Sequence, residues 1–327
     1  MFEYSYNDHY KWGFNDNFFN RPEREGWFQV QLGSCERPHG TFREECVNTA
    51  KLLGERLDKP IRAGLSGGSD SQVVCLSLME AGVPFTPTAL KLNSMDGRFL
   101  NKFDIDGAVE FCAKHNLKLD VVELDLDWWY TQRYMQLVHD YCIISPEISV
   151  QLYLVEKFRD THCYINGGGD PMIFKKTDED GRSSLCYELG PTPIEQYMMD
   201  EGIHGCLKFF MYTPEQIASY FDHPIFHMYN KSKNSMSDVL SYNYFTNVIK
   251  PMMYAQEFPE LISRVKNTGF EKYPFMQAVR HFTQSMNDHI NPKAKMVKWK
   301  YEEVIDHLNN GGGSTKVWRS IDEKTYY

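Results

Sequence analysis

The sequence predicts an α/β fold: a parallel, doubly wound sheet followed by a mostly helical C-terminal region. Three observations carry this. Between residues 61 and 165, short apolar runs of strand length alternate with longer helical stretches, the grammar of a parallel sheet with helices on both faces. Two of those strands run straight into glycine clusters, "SGGSDS" at 66–71 and "NGGGDP" at 166–171. Past Pro193 the text becomes helical, punctuated by Pro and Asn.

The elements follow in order. Residues 1–26 are aromatic and polar with no clear period, and "WFQVQL" (27–32) alternates as a strand. "GTFREECVNTAKLLGERLDKP" reads as a helix, because Thr41 and Glu44 form a capping-box pattern and Pro60 closes the far side. "IRAGL" is a short strand leading into the first glycine turn, and Asp70 to Ala81 is a nearly all-apolar helix, covered on most sides. "FTPTALKL" (85–92) is the second strand. After a polar loop, Ile105, Ala108, Val109 and Cys112 make a helix stripe, and Asn101 and Asp104 in front of it read either as capping residues or as neighbours of a bound ligand. "LKLDVVELDL" (117–126) is the third strand, helices cover 127–141 and 147–159, and "HCYI" (162–165) is the fourth strand. "SSLCYEL" is a strand or hairpin piece. Helices are expected in "PIEQYMMDEG", "TPEQIASYF", "MSDVLSYNYFTNVIKPMMYAQ", "PFMQAVRHFTQSMNDHI" and "KWKYEEVIDHLNN", and "GGGST" (311–315) reads as a flexible break. The expected division is an N-terminal extension (1–41), an α/β domain (42–190) and a helical C-terminal region packed on it (191–327).

Composition narrows the function classes. A net charge of −9 argues against nucleic acid as the main partner. "NPKAKMVKWK" (291–300) is a local basic patch, more simply read as a solvated helix face. None of the eight cysteines forms a C-x-x-C pair, so a zinc ribbon or thioredoxin-like site has no support. Cys75 and Cys112 sit in apolar runs where a thiol packs as a small hydrophobe. With no disulfide framework the expected compartment is the reducing cytoplasm. The start "MFEYSYNDHYKWGFND" does not look like a secretion signal. No apolar run approaches the roughly 20 residues a membrane helix needs, so no membrane partner is expected.

The first glycine turn carries the chemistry. A strand running into Ser66-Gly67-Gly68-Ser69-Asp70-Ser71 and then a helix lets a ligand touch bare backbone at the glycines. It also presents helix N-terminal N–H groups and serine hydroxyls, a combination that favours phosphate or pyrophosphate. Asp70 beside an anion needs a divalent metal between the two, and Mg2+ binds through carboxylates and phosphates. A Walker loop fails for want of its lysine, and the dinucleotide fingerprint is absent. Gly64-Leu65-Ser66-Gly67-Gly68 also matches a nucleophile elbow, but that reading leaves Ser69, Asp70 and Ser71 unexplained.

"LSGGSDS" resembles the PP-loop motif SGGxDS of the ATP pyrophosphatases, in the HUP or adenine nucleotide alpha hydrolase-like fold. "NGGGDP" resembles the second glycine turn of the asparagine synthetase branch, where an acidic residue supplies another Mg2+ ligand. The chain departs from that branch in having Gly-Gly-Asp-Pro, and read alone the segment is a plain turn. "PHGTFREECVNTAKLLGERLDKPIRAGLSGGSDS" looks like stand-alone versions of the domain, phage-encoded ones among them, in which case the compartment is the host cytoplasm. The resemblance implies a Mg2+- and ATP-dependent, AMP-forming ligase. A carboxylate, amide or ureide oxygen attacks the α-phosphorus, pyrophosphate leaves, and a nitrogen nucleophile displaces AMP. It assigns Ser66, Gly67, Gly68, Ser69 and Ser71, with Gly168 and Gly169, to nucleotide binding, and Asp70 and Asp170 to Mg2+. The main chain at Leu90, Lys91 and Leu92 falls to adenosine. A lysine from the helical region, Lys293 or Lys295, with Lys272 weaker, falls to the phosphates. The residues before 42 are too few for a glutaminase domain, so nitrogen is expected from free ammonia or a separate source. The small-molecule acceptor carries no legible pattern. Two rival readings stay open: a catalytically decayed nucleotide-binding scaffold or virion-associated protein, and a nucleobase- or tRNA-modifying enzyme with a basic groove at Lys293 to Lys300.

Overall fold

The structure is a computed structural model that describes residues 4–5, 7–14, 28–141, 143, 145–169, 172–177, 183–189, 193–227, 248–263, 273–281 and 297–319. Its centre is a parallel sheet of β4 (Ile61–Gly64), β5 (Phe85–Asn93), β6 (Asp120–Asp125), β7 (Cys163–Ile165) and β10 (Gly205–Cys206), in the order β10-β7-β4-β5-β6. The fold class is therefore the α/β, parallel, doubly wound one. From β4 the chain winds outward to β5 and β6, then returns to lay β7 on the other flank of β4. The order reverses between β4 and β7, and open α/β sheets bind ligands at such a switch point, outside the carboxyl ends of the strands.

Two apolar cores lie on the two faces, because side chains alternate along each strand. Ile61, Ala63 and Leu65, with Ala89 and Ile165, pack against α1 (Phe42–Arg56), α2 (Ser69–Glu80) and α3 (Lys102–Lys114). Leu92, Val122, Leu124 and Tyr164 pack against the helical stretch from Leu126 to Tyr141, against α6 (Pro146–Phe158) and against α7 (Pro193–Asp200). The stretch from Leu126 contains a π-helical turn, Trp129–Tyr134. Helix α1 starts where its capping box is complete: the Thr41 hydroxyl accepts the Glu44 N–H, and the Glu44 carboxylate accepts the Thr41 N–H at 2.7 Å. Helix α2, buried from Ser71 to Leu78, is covered by α1 on one side and by α9 (Lys250–Glu257) on another.

Two expectations change. "GGGST" is a tight turn, not a flexible break. Gly312 and Gly313 take φ of +58° and +79°, and the Gly313 N–H donates to the Cys35 carbonyl at 3.1 Å. That turn aims β12 (Thr315–Arg319) antiparallel onto β3 (Phe28–Gly33), completing a four-stranded sheet with β1 (Tyr4–Ser5) and β2 (Tyr10–Phe14). In "KWKYEEVIDHLNN" the first three residues belong to a strand, β11 (Val297–Lys300), and the helix begins at Tyr301. The two-residue alternation of Val297-Lys298-Trp299-Lys300 suits its antiparallel pairing with β9 (Ser183–Leu189), which also pairs with β8 (Met172–Thr177). Among the described residues no helix is long and apolar enough to cross a membrane.

Candidate functional site

The first glycine turn occupies the carboxyl end of β4. Leu65 continues the ladder by donating its N–H to the Thr88 carbonyl at 2.9 Å, and the chain then breaks away at Ser66. Gly67 has φ +73°, a left-handed conformation that favours glycine. Ser71 holds the turn from inside. Its hydroxyl accepts the Ser66 N–H at 3.2 Å and donates to the Gly68 carbonyl at 2.9 Å. Gly68 is the N-cap of α2 and supplies no side-chain cap, so the first-turn amides of the helix face outward from a bare end. Ser66 and Gly68 are exposed, Ser69 and Asp70 half-buried, and Gly67 and Ser71 buried.

The second glycine turn meets the first across the switch point. A Cβ on Gly167 would lie 2.9 Å from the carbonyl carbon and oxygen of Asp70, so the two turns are in backbone contact. A Cβ on Gly168 would strike the Leu207 carbonyl, and Gly169, at φ +82°, packs on the Cα and Cβ of Lys208. The 207–211 stretch braces this turn further through a bridge between Gly167 and Lys208 and a Phe210 N–H bond to the Gly168 carbonyl at 3.2 Å. Lys208 is itself buried, 4.0 Å from the buried Glu195 carboxylate. Asp170 follows Gly169 directly but lies outside the described residues.

Among the described residues, the cation that reaches Asp70 is Lys250, a residue sequence reasoning missed. Its ammonium lies 2.6 Å from Asp70 Oδ1, and the side chain is only 5% exposed, against 35% for Asp70. One helical turn on, the Tyr254 hydroxyl donates to the same oxygen at 2.8 Å. The i, i+4 spacing on α9 brings both groups to one carboxylate. Tyr254 is fixed by aromatic packing, stacked on Phe42 with centroids 5.9 Å apart and close to Phe210 at 6.0 Å. The available signal was "KPMMY": a lysine in an apolar helical run, four residues before a tyrosine. Lys293, Lys295 and Lys272 lie outside the described residues.

Toward its carboxyl end, β5 runs on through Leu90, Lys91 and Leu92. The buried Asn101 side chain bridges this edge, donating to the Leu90 carbonyl and accepting the Leu92 N–H, both at 2.8 Å. Asn101 makes no side-chain cap bond to α3, so its amide serves the strand edge and not the helix start. Lys91 instead faces β6, pairing with Glu123 at 2.8 Å. Beyond that edge Asp127 accepts the Tyr273 hydroxyl at 2.8 and 2.9 Å. Burial and the Asp127 carboxylate push the Tyr273 phenol up to about 12. Among the described residues no group of three or more acidic, Cys or His side chains forms a ready metal cage. Two cavities, of about 410 and 330 Å³, lie at Cys35–His39 and beside α7, the second lined in part by Leu207, the residue that packs on Gly168.

No protein-family model matches this chain, and a search of curated proteins finds no match. Solved structures similar to it include an NH3-dependent NAD synthetase from Campylobacter jejuni, at 14% identity and TM-score 0.32, covering 78% of this chain and 97% of that one. An NMN synthetase from Francisella tularensis is similar at 15% identity and TM-score 0.31, covering 74% and 94%. A U34-tRNA thiolase from Methanococcus maripaludis is similar at 13% identity and TM-score 0.34, covering 82% and 78%. With such scores these likenesses do not say what this chain binds.

Proposed function

We propose that the chain is a Mg2+-dependent ATP pyrophosphatase that adenylates a carboxylate- or amide-type oxygen, in the manner of an asparagine synthetase. Pyrophosphate leaves first, and AMP leaves when a nitrogen nucleophile attacks. The observation that carries this reading is the pairing of buried Lys250 with half-buried Asp70 beside the bare-ended helix at the sheet's switch point. An anion cradle, a carboxylate and a buried cation in one place suit a metal-bound triphosphate.

Ser66, Gly67, Gly68, Ser69 and Ser71 grip the departing pyrophosphate, with Gly168 and Gly169 walling the opposite side. Asp70 and Asp170 would hold Mg2+, which would neutralise phosphate charge. Lys250 supplies a cation to the phosphates, beside Lys293 or Lys295 from the helical region. It leaves Asp70 for a phosphate oxygen as substrate enters, and its low exposure keeps that charge undiluted by water. Adenosine is assigned to the carboxyl end of β5 beside Leu90, Lys91 and Leu92, where the adenine edge exchanges for the Asn101 amide. The acceptor is a small molecule, and the nitrogen comes from ammonia or an amine delivered separately.

Pyrophosphate and AMP release should be followed with Mg·ATP, ammonium, and a panel of small carboxylic acids and amides. Release with at least one acceptor is expected, and Lys250→Gln should slow it by about 100-fold or more with native circular dichroism. Absence of both ATP binding by calorimetry and pyrophosphate release overturns the reading. An unchanged rate in Lys250→Gln removes that lysine from it.

A further inference from the structure

Gln72 stands directly after the glycine motif, on the inner face of α2. It is fully buried, and its side-chain amide makes three hydrogen bonds to main chain. Nε2 donates to the Gly67 carbonyl at 2.9 Å and to the Ile262 carbonyl at 3.2 Å, and Oε1 accepts the Ile262 N–H at 2.9 Å. One end of this clamp is thus the left-handed glycine of the anion-binding turn. The other end lies five residues past α9, the helix that presents Lys250 and Tyr254.

The segment between those ends is already tied down. The Leu261 N–H donates to the Phe258 carbonyl at 3.0 Å. Arg43 reaches the Glu257 carbonyl at 2.9 Å and the Glu260 carboxylate at 2.8 Å, and Lys114 donates to the Glu260 carbonyl at 2.7 Å. Those bonds fix the segment to α1 and α3, and none touches the glycine turn. Lys250 and Tyr254 reach the motif only at the Asp70 side chain, and the bond to the main chain of the turn, at Gly67, is made by Gln72. A glutamine satisfied only within its own helix would stabilise α2 and nothing else. This one directs its three hydrogen bonds to two loops 195 residues apart (262 − 67).

We infer that Gln72 is a positioning residue: its amide locks the anion-binding turn to the segment carrying Lys250, so that cradle and cation keep one fixed spacing. The inference rests on the ATP reading for its ligand. The clamp itself is independent of any ligand, which makes the two separable by experiment.

The probe is inorganic pyrophosphate with Mg2+, titrated calorimetrically into wild type, Gln72→Met, Lys250→Gln and the double variant. Met keeps the length of the side chain and removes all three bonds. Gln72→Met should weaken binding by about tenfold, the scale expected for a sub-ångström misplacement. In the Lys250→Gln background the same change should have a markedly smaller effect, because the residue acts through the lysine. Backbone amide exchange at Ile262 should accelerate in Gln72→Met with or without pyrophosphate. Gln72→Glu serves as the second variant if Met disturbs folding. It keeps the acceptor for the Ile262 N–H and loses the donor to both the Gly67 and the Ile262 carbonyls, so pyrophosphate binding should still fall and Ile262 exchange should rise less than in Gln72→Met. Equal losses in the two lysine backgrounds, or unchanged Ile262 exchange in Gln72→Met, overturn the inference. A wild type that binds no pyrophosphate overturns the ATP reading instead, and Ile262 exchange still decides the clamp.

Discussion

Replacing Gly167 with alanine pushes directly on the place where the two glycine turns touch. The added Cβ would sit 2.9 Å from the Asp70 carbonyl carbon and oxygen and 3.1 Å from the Asp70 Cβ. Ordinary contact begins at 3.4 Å, so the turns must part by at least about 0.5 Å (3.4 − 2.9). Neither side yields cheaply. Asp70 lies in the first turn of α2, and Gly167 is bridged to Lys208 from behind. Overpacking of this kind costs about 1–3 kcal/mol, which should lower the thermal midpoint by several degrees. The functional loss should be larger than the stability loss suggests. A displacement of 1 Å costs roughly 100-fold in a preorganised site, so half that corresponds to about tenfold in Mg·ATP binding or turnover. Differential scanning calorimetry and isothermal titration, run on one preparation, measure both. An alanine variant with wild-type midpoint and wild-type nucleotide affinity would refute the convergence of the two turns.

Other outcomes are expected at the edge of the domain. Arg37 donates to both oxygens of the buried Glu45 carboxylate at 2.7 and 2.6 Å, while the Gly40 N–H adds a third bond at 2.7 Å. Burial pushes the Glu45 carboxyl up, but the Arg37 guanidinium and the Gly40 amide hold it below its ordinary value. Arg37→Ala strands that carboxylate. Breaking a buried pair costs about 3–5 kcal/mol, and the half-exposed Arg37 side lets water reduce this to about 2–3 kcal/mol. A urea midpoint unchanged in Arg37→Ala contradicts the estimate. His39 and Asp222, 2.8 Å apart, provide a pH test. The carboxylate raises the imidazole pKa and the imidazole lowers the carboxyl. The His39 contribution is fully present below pH 6.5, its ordinary value, and is lost as pH rises through the raised one. The Asp222 contribution is present above its ordinary 3.8 and is lost as pH falls through the lowered one. The stability gap between wild type and Asp222→Asn should therefore be widest between those two values and narrow toward alkaline pH. A gap that stays constant from pH 4 to about 9 contradicts the pairing.

What the sequence discloses here is what is local. The Thr41–Glu44 box, the strand-to-helix step at residues 64–69 and the stripe on α3 each lie within one or two turns of chain, and the structure contains all three. The glycine turns were legible for the same reason, since the residue types that permit positive φ also mark an anion cradle. Lys250 was not. Its partner Asp70 lies 180 residues earlier (250 − 70), and α9 has no motif apart from its i, i+4 tyrosine. Asn101 was expected to cap a helix, because Asn before an apolar stripe usually does. The open edge of β5 claimed its amide instead. "GGGST" looked like a break because glycine signals freedom locally, whereas the strand that uses the turn finds its partner at β3, almost a full chain length away.

That last pairing bears on how the chain is made. On a ribosome adding about 5–20 residues per second, roughly 15–60 s separates the emergence of Gly33 from that of Thr315. Throughout the interval β3 has an unsatisfied edge, a template for wrong partners and a candidate for chaperone protection. The sheet that holds β3 is closed by a segment synthesised 282 residues later (315 − 33). Nascent chains stalled before residue 315 should therefore be trapped open and prone to aggregate, even with the parallel sheet already in place.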